Sequence, residues 1–150
     1  MSKQEEAALI LRLYELRREL VMREARNWYW REFNPESFAD FTATLFGEHT
    51  GHLRMVISYW DMAAALVNTG AISLELFNES NGEHIGVFSK IEPFIGDMRA
   101  KFGAQFAANF EKLIDATPDG RKRVAQSREM MKAIRAQMAQ TAPRQQAKTA

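Results

Sequence analysis

The chain contains no cysteine. That excludes disulfides, thiolate metal ligands and a cysteine nucleophile, and it fits a cytoplasmic location. Histidine is scarce, with three copies, and proline has four. No H-E-x-x-H string occurs, so a zincin site is excluded. A di-iron bundle needs Glu three residues before a histidine. Here those positions are Phe46, His49 and Asn81. The eight glycines are scattered and form no phosphate loop. There is no G-x-S-x-G elbow. No stretch approaches the roughly 18–20 apolar residues of a transmembrane span. The opening "MSKQEEAALI" carries acids where a secretory signal needs a positive end. No run alternates with period two for long enough to make a strand. These absences leave a soluble, non-enzymatic protein with no cofactor as the expectation.

What is present is ordinary globular material: 46% hydrophobic and 26% charged residues over 150 positions, enough for one domain. The formal charge of +1 hides an asymmetry. Residues 1–118 hold 12 Lys and Arg against 17 Asp and Glu, net −5. Residues 119–150 hold 8 against 2, net +6. The expected organisation is therefore a helical bundle domain over 1–118, a basic amphipathic helix over 119–140 and a disordered polar tail over 141–150.

Helical periodicity runs from about Glu5 to Phe33, with Leu9, Leu13, Leu16 and Leu20 on one face and Glu19 set to pair with Arg23. "NPES" breaks it, and Ser37 caps a short helix ending at Gly47. In "EHTGH", Thr50 is the expected cap of an apolar central helix over about 51–69. Ser73 caps another short helix. A long helix over about 84–116 is interrupted by Pro93, and Phe94, Met98, Phe102, Phe106, Phe110 and Ile114 form a four-residue row along it. The class is all-α, a bundle of about five to six helices.

Three clusters are candidate sites. His49, His52 and His84 start helical segments and would form a metal or small-ligand site if they met at one end of the bundle. Trp28, Tyr29 and Trp30 cannot all face one core, since neighbours on a helix point about 100° apart. They are either a broad buried helix end or an interface anchor. The last helix presents Arg121, Lys122, Arg123, Arg128, Lys132 and Arg135, with Met131 and Met138 in a thin apolar seam. Such a helix docks on the acidic body, on an acidic partner, on nucleic acid or on an anionic membrane face. It lacks aromatics to stack bases.

The stretch "YWDMAAALVNTGAISLELFNES … FSKIEPFIGDMR", residues 59–80 and 88–99, resembles an all-helical bacterial family known only as a domain of unknown function. The pattern is Trp60 and Asp61, then "ALVNTGAIS", Phe77, and an apolar-Pro-apolar turn with Ile91, Pro93, Ile95 and Arg99. The resemblance implies a helical fold and a bacterial source, and no activity. The leading expectation is a self-associating helical interaction protein that uses the aromatic cluster or the Met seam. The alternatives are a polyanion-binding module and a metal- or ligand-holding bundle.

Overall fold

Among the described residues the chain is helical throughout, with no strand. A computed structural model describes the backbone of residues 2–149 and the side chains of residues 2–141. The elements are α1 (Lys3–Arg17), α2 (Leu20–Arg31), α3 (Phe38–Leu45), α4 (Thr50–Asn68), α5 (Leu74–Ser80) and α6 (Glu83–Ile91). A 3-10 turn (Glu92–Phe94) follows, then α7 (Ile95–Phe102), α8 (Ala108–Ala116) and α9 (Gly120–Thr149). The tail expected over 141–150 lies, from residue 142 on, outside the described side chains. No helix of the described chain is long and apolar enough to cross a membrane.

There are more helices than the expected five to six, because two long segments are broken. The first breaks at Arg18–Glu19. Glu19 takes an extended ψ of 145° and its carboxylate accepts from the amides of Val21 and Met22, each at 3.1 Å. It caps α2 instead of supporting a continuous helix. The second break is Gly103, at φ +114°, where glycine's freedom is needed. Pro93 falls inside the 3-10 turn. The aromatic row is therefore split. Phe94, Met98, Phe110 and Ile114 are buried, while Phe102 is 47% exposed and lies tilted against exposed Phe46.

α4 is central, packed against α2, α3 and α8. Its expected inner face, Leu53, Val56, Ile57, Trp60, Ala64 and Val67, is buried. α6 is buried from His84 to Ile91 beneath α9. Gly86 lets the Trp30 ring of α2 close on α6, since a Cβ there would lie 2.6 Å from that ring. Several helix ends are satisfied by distant side chains. Asp61 accepts from the Phe110 amide at 2.9 Å, at the start of α8, which has no cap of its own. Glu6 accepts from the Ser73 amide at 2.9 Å, before α5.

The three histidines do not converge. His49, rather than Thr50, occupies the cap position of α4 and makes no side-chain cap bond. Its ring stacks on Trp28 at 5.2 Å, with His52 tilted beside them. His84 packs instead on Trp60 and Phe77, at 5.6 and 5.0 Å. Among the described residues no group of three or more His, Asp or Glu is placed to hold a metal. His49 and His52 thus lie at the start of α4, beside Trp28.

His84 is fully buried, and neither ring nitrogen has a hydrogen-bond partner. Burial, then Arg123 and Arg17, lowers its pKa from 6.5 to about 4. Folding therefore favours the neutral ring. Its contribution is complete above pH 6.5, falls as pH drops toward 4 and is level below. The span is worth about 3 kcal/mol. Urea titrations at both ends of that window check this: wild type should lose about that much more stability than His84→Leu. Separately, Gly86→Ala should cost about 1–3 kcal/mol through the clash with Trp30, read from the denaturation midpoint and tryptophan emission.

Candidate functional site: a cationic cleft beneath the last helix

α2 ends at Arg31, and the chain leaves through Asn34 and Pro35. A helix end leaves carbonyls without intrahelical donors. Here one side chain supplies most of the donors, and Asn34 Nδ2 adds one to the Arg31 carbonyl at 3.4 Å. The ammonium of Lys90, on α6, donates to the carbonyls of Tyr29 at 2.7 Å, Phe33 at 2.9 Å and Trp30 at 3.3 Å. It also reaches Asn34 Oδ1 at 3.2 Å. Burial lowers the Lys90 pKa from 10.5 to about 7, and the positive charge of Arg135 adds to this. The oxygens around it favour the protonated form.

Arg135, on α9, donates to the same Asn34 Oδ1 at 3.1 Å. Two cations thus meet on one neutral amide oxygen. Among the described residues no carboxylate lies within ion-pair distance of either. A cavity of about 400 Å³ opens beside them, between the end of α2, the 3-10 turn and α9. Arg128 and Lys132 complete its basic side, and Glu36 is its one carboxylate.

α9 is held over this cleft by ion pairs nearer its start. Arg121 meets Asp115 at 2.7 Å and both Glu92 and Glu111 at 2.9 Å. Arg128 meets Glu92 at 2.6 Å and the Ser89 carbonyl at 3.1 Å. Val124 is buried between these two arginines.

The predicted site residues divide accordingly. Of the polyanion candidates, Arg121 and Arg128 are engaged by the chain's own carboxylates. Lys132 and Arg135 line the cationic cleft. Lys122 is exposed, and Arg123 lines a second cleft of about 510 Å³ on the other side of α9, with Trp30 and Met130. Of the interaction candidates, Trp28 and Tyr29 are core residues, which takes them out of any exposed anchor. The Tyr29 hydroxyl donates to the Val87 carbonyl at 2.6 Å, and Trp30, half-buried, donates to Glu83 at 3.1 Å. Met131 borders both clefts. Met138 is exposed, in line with Met130 and Ile134, at 64%, 59% and 51% respectively.

Sequence reasoning missed Lys90 and Asn34. The available signal was a lone lysine in the apolar run "IGVFSKIEPF" on a helix that has no polar face to give it. Chemically, the cleft is suited to recognising charge. Lys90 directs its N–H groups at carbonyls of the α2 end.

No curated protein and no solved structure matches this chain. A family model, described as "Domain of unknown function (DUF4760)", matches residues 4–117. That span takes in α1 to α8 and ends just before α9, and the chain belongs to the DUF4760 family.

Proposed function

We propose that the protein is a cytoplasmic, non-enzymatic binding module that recognises an anionic group in the cleft beneath α9. The observation that carries the reading is the convergence of Lys90 and Arg135 on Asn34 Oδ1 without a carboxylate. Like charges at such separations repel, and the low dielectric of a half-enclosed cleft strengthens the repulsion. An anion placed between them and Lys132 relieves it. This narrows the polyanion alternative. Arg121 and Arg128 each pair with carboxylates of the body, so two of the six basic candidates on α9 meet a long phosphate backbone already compensated.

The test is a thermal shift with phosphate and with sulfate at constant ionic strength, which separates binding from screening. A ligand at ten times its Kd stabilises the fold by about 1.4 kcal/mol. Wild type should shift accordingly, and Arg135→Gln should lose most of the effect. Absence of a shift in wild type with either anion removes the reading.

A second reading keeps self-association. Met130, Ile134 and Met138 follow one another every four residues on one exposed face of α9. Light scattering of the untagged chain at two salt concentrations tests it. A salt-independent dimer that Ile134→Glu dissociates supports this face as the contact, and a monomer at both salts rejects it.

A further inference from the structure

We infer that the ligand of the cationic cleft is a phosphomonoester carrying a short apolar group, an inference that rests on the anion-binding reading above. The first argument is a charge count. Four cations border the cavity: Lys90, Arg128, Lys132 and Arg135. Glu92 compensates Arg128, and Glu129 pairs with Lys132 at 3.5 Å. Lys90 and Arg135 have no such partner among the described residues. An anion that binds draws Lys90, whose pKa burial lowers to about 7, to its charged form, so two cations face the single exposed carboxylate of Glu36, and a phosphomonoester brings about −1.5 to −2 near neutral pH. A carboxylate brings half of that.

The second argument is donor geometry. Arg128, Lys132 and Arg135 recur at i, i+4 and i+7 along α9, so they approach from one side. Arg128 and Arg135 each carry N–H groups beyond those given to Ser89, Glu92 and Asn34. Three cationic side chains in a row suit the three terminal oxygens of a phosphate better than the flat pair of a carboxylate.

The third argument is the rest of the cavity. The apolar part of its wall is Pro35, Pro93, Phe94 and Met131, with Ser89 and Asn34 beside it. A phosphate group alone would leave that wall in water. A volume of about 400 Å³ is within the range of small-molecule sites. The apolar wall therefore calls for an apolar substituent on the ester oxygen. Glu36, exposed and without an ion pair among the described residues, borders the cavity and opposes a second phosphate there. That disfavours an extended polyanion and favours a compact ligand.

Calorimetry on the full chain at fixed ionic strength tests this with phenyl phosphate, inorganic phosphate and benzoate. Phenyl phosphate should bind about tenfold more tightly than either of the others. Arg135→Gln should weaken both phosphates alike. Met131→Gln should shrink the advantage of phenyl phosphate over inorganic phosphate and leave the latter unchanged. Both positions are at least partly exposed, and circular dichroism checks that each variant folds. If phenyl phosphate binds no better than inorganic phosphate, the apolar substituent is wrong while anion binding stands. If benzoate equals phenyl phosphate, the phosphate is wrong. If none of the three binds, this inference and the reading beneath it both fail. Vesicles of phosphatidylcholine with and without phosphatidic acid separate two sources of the same chemistry. Sedimentation only with phosphatidic acid, weakened by Arg135→Gln, supports a lipid headgroup. Phenyl phosphate binding without vesicle binding supports a soluble ester.

Discussion

The ammonium of Lys90 on the terminal carbonyls of α2 is the contact on which the rest of the arrangement depends. It closes a helix end that has no glycine, beside the local bond from Asn34 Nδ2 to the Arg31 carbonyl. It also fixes α6 against α2, and the buried face of α6 is what α9 lies on. A buried cation is tolerated only with several oxygens around it, and the helix end provides them ready-made. The same placement brings a positive charge to the edge of the cleft, where Arg135 meets it over Asn34. Structural cap and candidate recognition site thus share one side chain.

The split between an acidic body and a basic last helix acquires a physical meaning in this fold. Much of it is internal pairing. Arg121 and Arg128 face Glu92, Glu111 and Asp115, so α9 is held by charges drawn from α8 and the 3-10 turn. Exposed pairs of this kind contribute little singly. Here they form a network around one partly buried glutamate, flanking the buried Val124. What is left over falls in two places: Lys122 and Arg123 near the start of α9, and Arg135 past the last ion pair to the body. Of these, Arg135 reaches the cleft.

Much of the fold was legible in the sequence where the signal is local. The apolar face of α4, the Ser37 and Ser73 caps and the all-α class follow from periodicity and from side chains acting on their own neighbours. The breaks at Glu19 and Gly103 were not legible. Glu19 reads as a helix former until its carboxylate is seen turned onto its own following amides. Gly103 is one of several scattered glycines, and the aromatic row continues across it in register. Half of the candidate site was visible as the basic residues of α9. The other half depends on Lys90 and Asn34, 56 positions apart, and nothing in a linear pattern brings them together. Burial of Trp28 and Tyr29 has the same origin: adjacent aromatics find separate neighbours, His49 for one and Val87 for the other.

The borrowed helix caps have a kinetic consequence. Glu6 serves α5 from 67 residues away, and Asp61 serves α8 from 49. α8 has no cap of its own, α5 has that of Ser73, and at seven and nine residues both are short for independent stability. An all-helical chain ordinarily assembles from local pieces and does so fast. Here the first turn of α8 is finished only once α4 is in place, so contact across 49 residues closes before that helix is complete.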